Sequence, residues 1–114
     1  MTSSKKMTIT TNVQPLATLH LYLAIWKIKV VLTSKGNMQT YQNAKGQGCF
    51  FKVELTDADG TQMQATMFNE VARKLFDKFE IGKVYYISKG NIRAANKQST
   101  TIDNQYEMTI THYS

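Results

Sequence analysis

Few side chains in this sequence have the type and spacing to carry out a reaction. His20 and His112 lie far apart with Cys49 between them, and no spacing among the three matches a metal-ligand set. Asp57-Ala58-Asp59-Gly60-Thr61 begins like a calcium-binding loop, but Phe68 stands at its twelfth position, where a bidentate glutamate is required. Gly46-Gln47-Gly48 has neither the third glycine nor the lysine-serine partner of a phosphate loop, and it leads into a predicted strand rather than a helix. No serine or cysteine has a recognisable base partner. The expectation is a chain that binds rather than catalyses, without metal or cofactor.

Side chains that could bind are easier to find. Alternation over Gln62 to Phe68 sends Met63, Ala65 and Met67 to one face and leaves Phe68 with Gln64 and Thr66 on the polar one. A large aromatic there has two readings: a strand end tucked under the following helix, or a platform on which an unpaired base stacks. Tyr41, flanked by Gln39, Asn43 and Lys45, also has two. The ring either anchors its loop to the body or closes over a single strand, with lysine on phosphate and the amides on base edges. Arg93 and Lys97 give positive charge to a second polar segment. Glu107, predicted exposed with Thr109 and Thr111, can accept hydrogen bonds from cytosine or guanine amino groups. Arg73, Lys74 and Lys78 share a predicted helix with Glu70, Asp77 and Glu80 and read as a solvated face.

The charge balance bears on the partner. Fourteen Lys and Arg oppose eight Asp and Glu, for a net +6. Lys5, Lys6, Lys27, Lys29, Lys35, Lys45 and Lys52 all precede the first acid, Glu54. A basic half suits a polyanion, most simply nucleic acid, although a basic surface also serves solubility.

These side chains need a frame to position them. At 114 residues and 42% hydrophobic content, the sequence can bury one self-sufficient core. A lone Cys49 fits a reducing compartment. The apolar run Leu19 to Trp26, interrupted by His20, falls short of a bilayer span, and Met1 to Asn12 is too polar for a secretory signal. A soluble intracellular domain is expected over residues 15–114. Residues 1–14 are expected to be a flexible amino-terminal arm or an appended remnant.

Period-two alternation predicts strands at Trp26–Leu32, Cys49–Thr56, Gln62–Phe68, Lys83–Lys89 and Tyr106–Thr111. Phe51, Val53 and Leu55 face inward, with Phe50, Lys52 and Glu54 outward; Tyr106, Met108 and Ile110 are predicted buried. Asp57-Ala58-Asp59-Gly60 forms a turn. Asn69 caps a helix over Glu70–Phe79 that Gly82 closes. Long loops are predicted over Ser34–Gly48 and Asn91–Asn104. Three strands, a helix and two strands, with long loops after the first and fourth strands, match an all-β, five-stranded Greek-key OB-fold barrel. Such barrels bind on the face of strands two and three.

Several stretches resemble a known family. Asn43-Ala44-Lys45-Gly46-Gln47-Gly48, Ala65-Thr66-Met67-Phe68-Asn69-Glu70, Lys83-Val84-Tyr85-Tyr86-Ile87-Ser88-Lys89-Gly90, Ala95-Asn96-Lys97-Gln98 and Tyr106-Glu107-Met108-Thr109 resemble the first high-affinity DNA-binding domain of the replication protein A large subunit. The resemblance runs from Val13 to Thr111. It implies a nuclear OB-fold module that binds single-stranded DNA, in a larger chain with further OB domains and partner subunits, and with no membrane or small-molecule substrate. Phe68 falls where the family keeps a base-stacking phenylalanine. Lys45 and Arg93 match basic contacts, Tyr41 an aromatic in the first loop, Glu107 an acidic contact, and Asn69 also matches. Ser99 stands where a second stacking phenylalanine belongs, Gln39 and Gln64 where arginine is usual, and Cys49 where lysine is. These departures imply weaker binding by the isolated domain. They leave room for a telomere-specialised paralogue, or for a protein-interaction OB domain that has lost DNA and docks an acidic partner.

Overall fold

The computed structural model describes residues 13–23, 25–96 and 102–111. The expected arm lies outside the described residues, apart from Val13 and Gln14. A 3-10 turn at Leu16–Thr18 precedes strands β1 (Ile28–Lys35), β2 (Gln39–Asn43), β3 (Gly46–Thr56) and β4 (Gln62–Phe68). Helix α1 (Asn69–Leu75) follows, then β5 (Val84–Ile87), β6 (Gly90–Ala94) and β7 (Tyr106–Ile110).

The strands form one sheet in the order β5-β1-β3-β4-β7-β6, with β2 paired to β3 alone. β4 and β7 run parallel and the other pairs antiparallel. Only Ser88 and Lys89 separate β5 from β6, so the two ends of the sheet are one run of chain that pairs first with β1 and then with β7. The sheet therefore curls back on itself. With β5 and β6 taken as one long strand and β2 set aside, the topology is the expected OB fold, with its helix between the third and fourth long strands.

Alternation fills the interior. Ile28, Val30 and Leu32 of β1, Phe51, Val53 and Leu55 of β3, and Met63, Ala65 and Met67 of β4 are all buried. α1 covers one end of this core, and Phe51 meets Phe76 edge-to-face at 5.0 Å. Lys35 Nζ donates to the carbonyls of Phe76 and Phe79, placing a cation at the helix C-terminus where unpaired carbonyls collect. Leu16, Leu19 and Trp26 also join the core. The Leu16 amide donates to Asp57 Oδ2 at 2.8 Å, while Asp57 Oδ1 accepts from Asp59 and Thr61. One carboxylate thus ties the leading segment to the β3–β4 turn.

Several boundaries differ from expectation. The predicted loop at Ser34–Gly48 contains β2 and the first residues of β3, a hairpin exposed on both faces and so without a readable period. The predicted loop at Asn91–Asn104 begins as β6 because β7 supplies its pairing partner. The helix ends at Leu75 rather than Phe79, the chain continuing in turns. Glu107, predicted exposed, is buried, and Tyr106, predicted buried, is only half-buried.

Candidate nucleic-acid interface

The outer face of the sheet carries the candidate site. Antiparallel register sets Phe50 opposite Phe68, Lys52 opposite Thr66, and Glu54 opposite Gln64. The next strands continue the face, with Thr66 beside Thr109 and Arg93 opposite Glu107. Phe68 and Gln64 lie four residues apart on β4, or about 13 Å at roughly 3.3 Å per residue.

An aromatic group occupies one end. The rings of Phe50 and Phe68 are 5.9 Å apart and tilted by 40°. Tyr41 stands edge-on to Phe68 at 6.5 Å and lies 6.3 Å from Phe50. None of these three rings is among the partly buried residues packed against the core. Phe68 therefore does not pack against the core cluster. The sequence placed Phe50 outward but did not single it out, and the signal was its parity with Lys52 and Glu54.

Tyr41 is held by Asn69. Asn69 Nδ2 donates to the Tyr41 hydroxyl at 3.0 Å, and Asn69 Oδ1 accepts from the Cys49 amide at 3.1 Å. The residue is not the side-chain cap expected: it sits inside the first turn at φ 52°, a left-handed conformation that asparagine tolerates. Gly48 lies directly beneath this bond. A Cβ there would fall 2.2 Å from Asn69 Oδ1 and 2.5 Å from the Tyr41 hydroxyl. The hairpin tip is fixed by the Lys45 amide donating to Asn43 Oδ1 at 2.9 Å, which presents Lys45 to solvent. Gln39 is exposed on β2, in register with Phe50.

A polar group occupies the other end. Glu107 is only 4% exposed. Its Oε2 accepts from Arg93 Nε at 2.9 Å and its Oε1 from Gln64 Nε2 at 3.4 Å. This buried carboxylate, on a face suited to phosphate, is thus neutralised in place, while half of the Arg93 side chain stays exposed (51%). Between the two groups lies buried Thr66, whose Oγ1 has no hydrogen-bond partner among the described residues.

Arg73 departs from its expected role. It is exposed, but its guanidinium donates to Cys49 Sγ at 3.4 Å, which ties the helix to the start of β3. Lys74 pairs with Glu70 at 3.8 Å, as a solvated helical face would. Lys97 and Ser99 lie outside the described residues. Among the described residues no His, Cys, Asp and Glu cluster could hold a metal ion, and no helix is long and apolar enough to cross a membrane.

A family model described as an OB-fold nucleic acid binding domain matches residues 26–114. The chain belongs to that family. Among solved structures, the domain resembles DNA-binding domain A of replication protein A from S. cerevisiae, with a TM-score of 0.72 and 33% identity over 86% of this chain and 85% of that one. It also resembles part of a replication protein A heterotrimer bound to single-stranded DNA, with a TM-score of 0.82 and 33% identity, covering 87% of this chain and 23% of that chain. In sequence it is 60% identical over 105 residues to a replication protein A 70 kDa DNA-binding subunit of Oryza sativa subsp. japonica, which is 92% of this chain and 17% of the relative. The corresponding protein of Xenopus tropicalis is 43% identical over 99 residues, 87% of this chain and 16% of the relative. The chain thus spans about a sixth of these relatives' length. The resemblance to the first DNA-binding domain of the large subunit, read from the sequence, agrees with these matches.

Proposed function

We propose that this domain binds single-stranded DNA without catalysing a reaction, as one OB module of a nuclear, replication protein A-like chain with further OB domains and partner subunits. The observation that carries the reading is the aromatic group on the β3–β4 face, held off the core and with Lys52 beside it. Duplex bases offer their faces only to one another. An unpaired base can lay its face on Phe68, which favours single strands with little regard to base identity.

Lys45 at the hairpin tip and Arg93 on β6 meet phosphates on either side. Tyr41, latched by Asn69, walls the aromatic end. Gln64 and Glu107 act through Arg93, the buried carboxylate holding the guanidinium in place on the face. Gln39 reaches base edges from β2. Replication and repair are the processes such a module serves.

The test is a fluorescence-anisotropy titration of a labelled oligothymidylate at two salt concentrations, with duplex as competitor. Salt-sensitive binding that duplex displaces poorly is expected. No binding at low salt would refute the reading and leave the face to an acidic protein partner.

A further inference from the structure

We propose that Phe50 is a second stacking ring, so that the β3–β4 face takes two successive bases of a splayed single strand, one on Phe68 and one on Phe50. This rests on the single-strand reading above.

Phe50 has no structural task that explains it. Its neighbour Phe51 is wholly buried and fills the core, whereas Phe50 points outward and packs on no core residue. Its contacts are with Tyr41 and Phe68, themselves off the core. The 40° tilt between Phe50 and Phe68 means that the two rings do not stack face on face, so neither face is consumed by the other. Lys52 Nζ lies over the Phe50 ring, 6.0 Å from its centroid, a mobile cation that a stacking base can displace toward its own phosphate.

The spacing fixes what the pair can hold. The ring centroids are 5.9 Å apart. Successive nucleotides of a duplex strand rise only about 3.4 Å, so a helically stacked strand cannot place neighbouring bases on both rings. A strand pulled open can, and its backbone then crosses β3 and β4 past Lys52.

The experiment measures anisotropy of fluorescein-labelled oligothymidylate with the wild type, Phe50→Ala, Phe50→Tyr, Phe68→Ala and the Phe50→Ala/Phe68→Ala double variant. Phe50→Ala is expected to weaken binding by about 5- to 150-fold, while Phe50→Tyr, which keeps the ring, stays near wild type. The double variant should bind more weakly than either single variant, because each ring holds its own base. Phe50→Leu keeps the apolar bulk and replaces Phe50→Ala if the latter melts early. Overturning results are a Phe50→Ala or Phe50→Leu variant that binds as wild type, or a double variant no weaker than Phe68→Ala, which would make Phe50 a support for Phe68. A wild type that binds no oligothymidylate overturns the single-strand reading and this inference together. Loss in Phe68→Ala alone overturns only this inference.

Discussion

Asn69 donates from its amide to the Tyr41 hydroxyl at 3.0 Å, joining the first turn of α1 to the β2–β3 hairpin. The same side chain accepts from the Cys49 amide, so one exposed asparagine holds both strands of the hairpin. β2 buries none of its residues, so side-chain contacts of this kind fix its arm of the hairpin. The bond therefore sets where Tyr41 stands against Phe68, and so the width of the aromatic end.

Gly48→Ala tests this latch. A methyl 2.2 Å from Asn69 Oδ1 must expel the amide or displace the hairpin. The expected cost is about 1–3 kcal/mol in urea unfolding, with weaker single-strand binding. Asn69→Gly loses the bonds but keeps the left-handed backbone, whereas Asn69→Ala adds strain of about 1 kcal/mol. Wild-type stability in Gly48→Ala would mean that the hairpin is not held there.

Arg93 and Glu107 give a second test, in two variants. Arg93→Ala leaves a buried carboxylate with Gln64 as its remaining partner. Because Arg93 is half exposed, screening limits the loss of stability to about 1–2 kcal/mol. Adding Glu107→Gln removes the stranded charge and should restore most of the stability without restoring the phosphate contact. A double variant as unstable as Arg93→Ala, followed by thermal melting, would show that the carboxylate is not what the arginine neutralises.

Lys45→Ala should leave stability unchanged, since the side chain is exposed at the hairpin tip. Binding should weaken alike for all sequences, and the slope of log affinity against log salt should fall by about 0.7, as one phosphate contact in a single strand requires. An unchanged slope with a loss confined to particular sequences would assign Lys45 to base reading instead.

The sequence was legible where one strand face is buried and opaque where it is not. Phe51, Val53 and Leu55, and Met63, Ala65 and Met67, alternate cleanly because each set fills the barrel. Residues 39–48 form a hairpin whose two faces both meet solvent, so the same rule returned a loop. Asn69 has the type and position of a cap, but a contact twenty-eight residues back in sequence claims its amide. Glu107 alternates outward as expected, yet Arg93 and Gln64 from neighbouring strands cover it. Of the candidate site, Phe68 was readable from parity. Phe50 was equally outward, but its significance depends on the ring opposite it, which only the register between β3 and β4 reveals.

The most direct measurement is the affinity of Phe68→Ala for a labelled oligothymidylate, with circular dichroism confirming the fold. Because Phe68 is off the core, the variant should fold and bind more weakly by about 1–3 kcal/mol, with its salt slope unchanged. A folded Phe68→Ala that binds as tightly as the wild type would contradict stacking on the β3–β4 face.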